Sequence, residues 1–141
     1  MKAFLAAAML LSSAYTAAEM YMPIKITSSA NDLVGSNLVN AIKKEIEESP
    51  SLRITNEDEV SLGLNIVTLD GDNNHPGNST RYVKTTVWNV PEPSQRNHMF
   101  QGGTCGLKMV DQCAQGIVAN LHKEAERLNM FTKQSTNSHS K

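Results

Sequence analysis

The chain has 141 residues, 13 basic against 14 acidic side chains, a formal charge of −1 and 40% hydrophobic residues. That is one domain's worth of chain with material for a single core. The near-neutral balance argues against a nucleic-acid binder, which normally shows a basic stripe, and against a polybasic membrane-surface protein.

Lys2 provides a short positive start, and Ala3 to Leu11 is an unbroken apolar run. Small residues follow, with Thr16-Ala17-Ala18 fitting the shallow pockets of a signal peptidase, or Ser12-Ser13-Ala14 for an earlier cut. Residues 1–18 therefore read as a secretory signal peptide. A spanning helix needs about 20 apolar residues, and this run is far shorter. No Cys follows either cleavage point, so no bacterial lipid anchor and no stable membrane anchor after cleavage are expected. The compartment expected is the periplasm, otherwise the secreted medium. A single α+β domain is expected over residues 19–131, with a disordered polar tail over 132–141.

In chain order, Met20 to Thr27 reads as a first strand, bent on entering at Pro23. Ser28 to Asp32 offers helix N-caps. Leu33, Val34, Leu38, Val39, Ile42 and Ile46 recur at helical period and predict a helix over 32–48, stopped by Ser49-Pro50. Leu52 to Thr55 is a short strand and Asn56 to Glu59 an acidic turn. Val60, Leu62, Leu64 and Ile66 alternate with polar or small neighbours, which identifies a strand with one buried face. Asp70 to Thr80 is loop by composition, an eleven-residue polar hairpin tip, and Arg81 to Val90 resumes as a strand. Pro91-Glu92-Pro93 closes it. Met99 to Gln101 is one more short strand before Gly102-Gly103. Val110, Ala114, Ile117, Val118, Leu121, Ala125 and Leu128 mark a second amphipathic helix over 107–130.

The order β-α-β-β-β-(β)-α predicts a two-layer α+β sandwich, both helices on one face of a mixed, mainly antiparallel sheet. From Leu38 to Ile66 it runs helix, short strand after Glu-Ser-Pro-Ser-Leu-Arg-Ile, acidic turn and long strand. That stretch resembles in shape the N-terminal domain of TolB-like proteins. The whole chain is similar to small exported bacterial α+β proteins of unknown function.

Cys105 and Cys113 are the only cysteines. In an oxidising compartment they are expected to form a disulfide that pins the incoming loop to the second helix. Asp70, Asp72 and Asn74 place oxygens at alternate positions, as a calcium loop begins. An EF-hand would then need Gly and Glu where His75 and Arg81 stand, so these three are weak metal candidates beside ordinary turn chemistry. His75, His98, His122 and His139 show no ligand spacing. There is no Gly-x-Ser-x-Gly elbow and no Ser-x-x-Lys pattern. Gly102 to Gly106 lacks the Lys-Ser/Thr of a phosphate loop and reads as a flexible approach to the disulfide. Asn78-Ser79-Thr80 is a glycosylation sequon, relevant only in a eukaryotic host. No catalytic residue and no cofactor is assigned.

The strand Arg81–Val90 carries apolar residues on both faces, Tyr82 and Trp88 on one, Val83 and Val87 on the other. Only one can lie under the helices. Tyr82 and Trp88 are the candidate binding face, beside the plain reading as core. The function expected is a non-enzymatic binding or accessory protein of the bacterial envelope, its partner another envelope protein or a small ligand. The alternatives are a small metal-dependent hydrolase using His75, His98 and Asp70–Asn74, or a structural subunit of an envelope assembly. Oligomeric state is left open.

Overall fold

The computed structural model describes residues 21–72, 74–90 and 98–138, with the side chains at 98, 131 and 135–138 outside that description. The signal peptide, its cleavage site, the stop at Pro91–Pro93, the His98 side chain and His139 therefore lie outside the described residues.

Five strands form one sheet: β1 Met22–Ala30, β2 Leu52–Ile54, β3 Ser61–Asp70, β4 Ser79–Asn89 and β5 His98–Gly106. Two helices cover it, α1 Leu33–Glu47 and α2 Val110–Ser138, the latter entered through a short 3-10 turn at Leu107–Met109. The spatial order is β2-β1-β3-β4-β5. β1 runs parallel to both β2 and β3, and the β3–β4 and β4–β5 junctions are antiparallel. The expected two-layer α+β architecture is thus the one observed.

Pro23 sits inside β1 without breaking the sheet. The Met22 N–H donates to the Ser51 carbonyl at 2.8 Å, so the next residue's missing N–H faces the β3 side. Pairing with β3 begins only at Ile24, opposite Leu62, so no ladder bond is lost. Met22, Ile24, Leu52, Leu62, Leu64, Ile66 and Trp88 line the covered face of the sheet. Leu38, Val39, Ile42 and Ile46 from α1 and Ala114, Ile117, Val118, Leu121 and Leu128 from α2 close over them. The i, i+3, i+4 spacing places each set on one helix face.

Asp32 locks the two layers together. As N-cap of α1 it accepts the Gly35 N–H on Oδ1 at 2.6 Å. Its other oxygen accepts the Thr68 hydroxyl at 2.8 Å and lies 2.9 Å from the Thr80 hydroxyl. One carboxylate therefore joins the start of α1 to both strands of the long hairpin. Replacing Asp32 with Ala removes the cap and leaves two buried hydroxyls without it. The expected loss is about 2–3 kcal/mol, measured by urea unfolding.

Three boundaries differ from the sequence reading. The hairpin strands extend until Asp70 faces Thr80, which shortens the loop to residues 71–78. Its tip turns at Gly77, φ +85°, a left-handed conformation that favours glycine. β5 runs nine residues through all of Gly102-Gly103-Thr104-Cys105, so those glycines belong to a strand and not to a flexible approach. A Cβ at Gly103 would come within 2.5 Å of Tyr82 Oη; its bareness makes room for that ring, paired opposite. Finally α2 continues to Ser138, through seven residues of the tail expected to be disordered. Nothing from Thr132 to Ser138 breaks a helix: there is neither Gly nor Pro.

Cys105 and Cys113 are joined by a disulfide, Cα to Cα 6.2 Å. It ties the end of β5, a strand and not a loop, to the first turn of α2. Replacing both cysteines with serine is expected to cost about 2–3 kcal/mol by the chain-entropy relation. Denaturant curves with and without reductant check this: reductant should shift the wild type to the midpoint of the variant and leave the variant unmoved.

Candidate functional site

Among the described residues, helices cover only one face of the sheet, so the outward residue of every strand forms a second surface. On β3 these are Gly63, Asn65, Val67 and Leu69, and on β4 Arg81, Val83, Thr85 and Val87. Val67 lies directly opposite Val83, Val83 opposite Gly102, and Thr85 opposite Phe100 on β5. The result is an apolar stripe across three strands, with Leu69 58%, Val67 48%, Val83 40% and Phe100 73% exposed. Apolar side chains gathered in this way on an exposed face make it the candidate contact surface.

The other half of this face is polar. The short link from β2 to β3 must cross β1, because β1 lies between them. It brings Asp58 within 3.2 Å of Lys25 Nζ. Each Glu59 carboxylate oxygen accepts from Arg53 Nη2 at 2.8 Å, and one of them also accepts the Thr55 hydroxyl at 2.7 Å. Beneath this acidic turn is an open recess of about 380 Å³ with Lys25, Thr27, Ser61, Asn65, Val87 and Asn89 among its walls. The Asn89 amide donates to Ser61 Oγ at 3.2 Å, and Gly63 beside it leaves room for that amide.

Tyr82 and Trp88 do not lie on this surface, which corrects the face assigned to them. They share the covered side of β4 with Thr80, Lys84 and Thr86, and Trp88 is 6% exposed within the core. The exposed side belongs to Val83 and Val87. The two rows alternate as expected, and the plain reading of Trp88 as core is the one observed, in a covered row that also contains a lysine.

That lysine is the feature sequence reasoning missed. Lys84 is 2% exposed, and its Nζ has no hydrogen-bond partner among the described residues. Burial pushes the ammonium below the ordinary lysine pKa, an effect partly opposed by the Glu124 carboxylate on α2. Glu124 is itself 4% exposed and accepts from Arg127 at 2.8 Å.

The metal candidates are engaged in turn geometry. Asp70 accepts the backbone N–H of Asp72 at 3.1 Å and of Gly77 at 2.9 Å. Asp72 accepts the N–H of Asn74 at 2.9 Å and lies 3.2 Å from His75 Nδ1. These are side-chain turns of the ordinary kind. Among the described residues no group of three or more His, Cys, Asp or Glu is placed to hold a metal ion. His122 lies between Ser49 Oγ, 3.4 Å from Nε2, and Ser51 Oγ, 3.2 Å from Nδ1. A neutral imidazole can donate to one hydroxyl and accept from the other, which ties α2 to the corner between α1 and β2. Among the described residues no helix is long and apolar enough to cross a membrane.

No family model matches the chain, and no curated protein matches it. Among solved structures it is similar to a minor lipoprotein from Acinetobacter baumannii, at 10% identity and TM-score 0.41, over 74% of this chain and 94% of that one. It is also similar to the rare lipoprotein B from Shewanella oneidensis, at 11% identity and TM-score 0.36, over 74% and 98% respectively.

Proposed function

We propose that this chain is an exported binding or accessory protein of the bacterial envelope that works through the open face of its sheet, without chemistry of its own. The observation that carries the reading is the apolar stripe Leu69–Val67–Val83–Phe100, left uncovered beside a fully built core. Its chemistry suits an apolar surface of another protein, with the polar recess under Glu57–Glu59 at its flank. The leader-like residues 1–18 and the paired cysteines support export to an oxidising compartment, with the periplasm as the site of action.

The test uses the mature protein immobilised and exposed to an envelope extract, wild type beside Val83→Lys. Val83 is 40% exposed, so the lysine leaves the core intact, and equal melting temperatures check this. A partner retained by the wild type and reduced roughly tenfold or more by the variant is expected, the scale of a charge set into a contact centre. Equal recovery by both proteins would remove the stripe from the reading.

A further inference from the structure

We propose that β5 is a self-pairing edge, through which two copies of this chain join antiparallel into one continuous sheet. This inference concerns self-association and does not depend on the envelope partner proposed above.

The two edges of the sheet are treated differently. β2 is three residues long, and its outward Arg53 is held by Glu59 of the charged turn beside it. Short length and charge are the usual guards against edge pairing. β5 has neither. Its nine residues, His98-Met99-Phe100-Gln101-Gly102-Gly103-Thr104-Cys105-Gly106, include no Lys, Arg, Asp, Glu or Pro. Among the described residues β5 is paired on one side only, by β4. Gln101 is exposed on the helix side, where the Asn120 amide donates to it at 3.3 Å, so α2 does not cover the edge there.

The sequence of β5 is also complementary to itself. The apolar stripe reaches this edge and stops, with Phe100 as its most exposed member. Opposite Val83 the stripe is notched, because β5 presents Gly102 there. Antiparallel pairing about a two-fold axis at Gly102 sets Phe100 of each copy opposite Thr104 of the other. Each phenyl ring then lies diagonal to the partner's bare Gly102, within reach for an aromatic side chain. The stripe would continue unbroken from one copy into the next. Since β5 carries no charge, no like-charged pair opposes the contact, and a copy of itself needs no charge pattern to select it.

Sedimentation of the oxidised mature protein over a concentration series tests the proposal with two variants. Phe100→Lys with Thr104→Lys sets lysine against lysine across the axis, twice by symmetry. Phe100→Lys with Thr104→Glu carries the same truncation but sets lysine against glutamate. The expected result is a wild-type dimer, weakening by roughly tenfold or more in the first variant and recovering in the second, on the scale of cross-strand charge pairs. A wild type that stays monomeric up to the highest concentration overturns the proposal. So does a dimer that treats the two variants alike. Gly102→Cys adds a readout independent of those side chains: under mild oxidation the axis position should give a covalent dimer, and its absence counts against this register. A monomer that instead binds an added extended peptide would assign the edge to a foreign strand and reject the second copy.

Discussion

Replacing Gly35 with alanine should destabilise the protein by more than about 3 kcal/mol, the upper range for forcing atoms into a packed interior. A Cβ at this position would coincide with the Thr68 hydroxyl and would come within 2.6 Å of Asp32 Oδ2. Neither neighbour is a flexible tip free to swing away. Thr68 is fully buried on β3, and Asp32 is fixed by accepting the Gly35 N–H and the Thr68 hydroxyl together. Making room for one methyl group therefore means lifting the first turn of α1 from the hairpin and breaking the hydrogen bonds that Asp32 holds. Alanine normally favours a helix over glycine by about 1 kcal/mol, so a gain would be expected from propensity alone. Urea unfolding decides between them. A lower midpoint with an unchanged slope is the expected outcome, and a stabilised variant would show that the α1–β3 contact is not tight.

Replacing Lys84 with methionine should act in the opposite direction, stabilising the protein at neutral pH by about 1–3 kcal/mol, as when buried ionic groups give way to apolar ones of similar size. The amine is 2% exposed and without a hydrogen-bond partner among the described residues. Glu124 is not abandoned by the change, because Arg127 remains 2.8 Å away. The pH dependence follows from the direction of the shift. The folded-state pKa of Lys84 lies below the ordinary value of 10.5, through desolvation by burial, less the opposing effect of Glu124. Between the lowered value and 10.5 the unfolded chain binds more protons at this site than the folded one. The stability of the wild type therefore rises with pH across that window. Below it the full penalty applies; above 10.5 it vanishes. The methionine variant lacks this contribution, so its advantage should be largest at neutral pH and shrink toward alkaline pH. Melting curves from pH 7 to 10.5 check both parts, and an advantage that does not vary with pH would contradict the burial of a charged amine.

Both helices and β3 were legible because their patterns are strictly periodic. Leu38, Val39, Ile42 and Ile46 fit only a helix, and Leu62, Leu64 and Ile66 only a half-buried strand. The length of β5 was not legible, since glycines usually punctuate loops. The reason for Gly103 is the Tyr82 ring paired across from it, a contact between residues distant in sequence. The same limit hid the role of Asp32, whose hydroxyl partners lie 36 and 48 residues away. On β4 the alternation was plain, but its orientation was not. Tyr82 and Trp88 share their row with Lys84, and a lysine argues for solvent. The structure buries it nonetheless, and so leaves Val83 exposed and Val87 half-buried on the other side. The candidate face of Tyr82 and Trp88 is thus the one under the helices, and the open face carries Val83.

That face is where the functional reading is most open to direct attack. A photo-crosslinking residue would be installed at Val83, at the centre of the stripe, and separately at Lys123, exposed on α2, in cells that export the protein. Irradiation should give a discrete adduct from Val83 in the envelope fraction and none of that mass from Lys123. No adduct from Val83, or the same adducts from both positions, would contradict a function exercised through the open face.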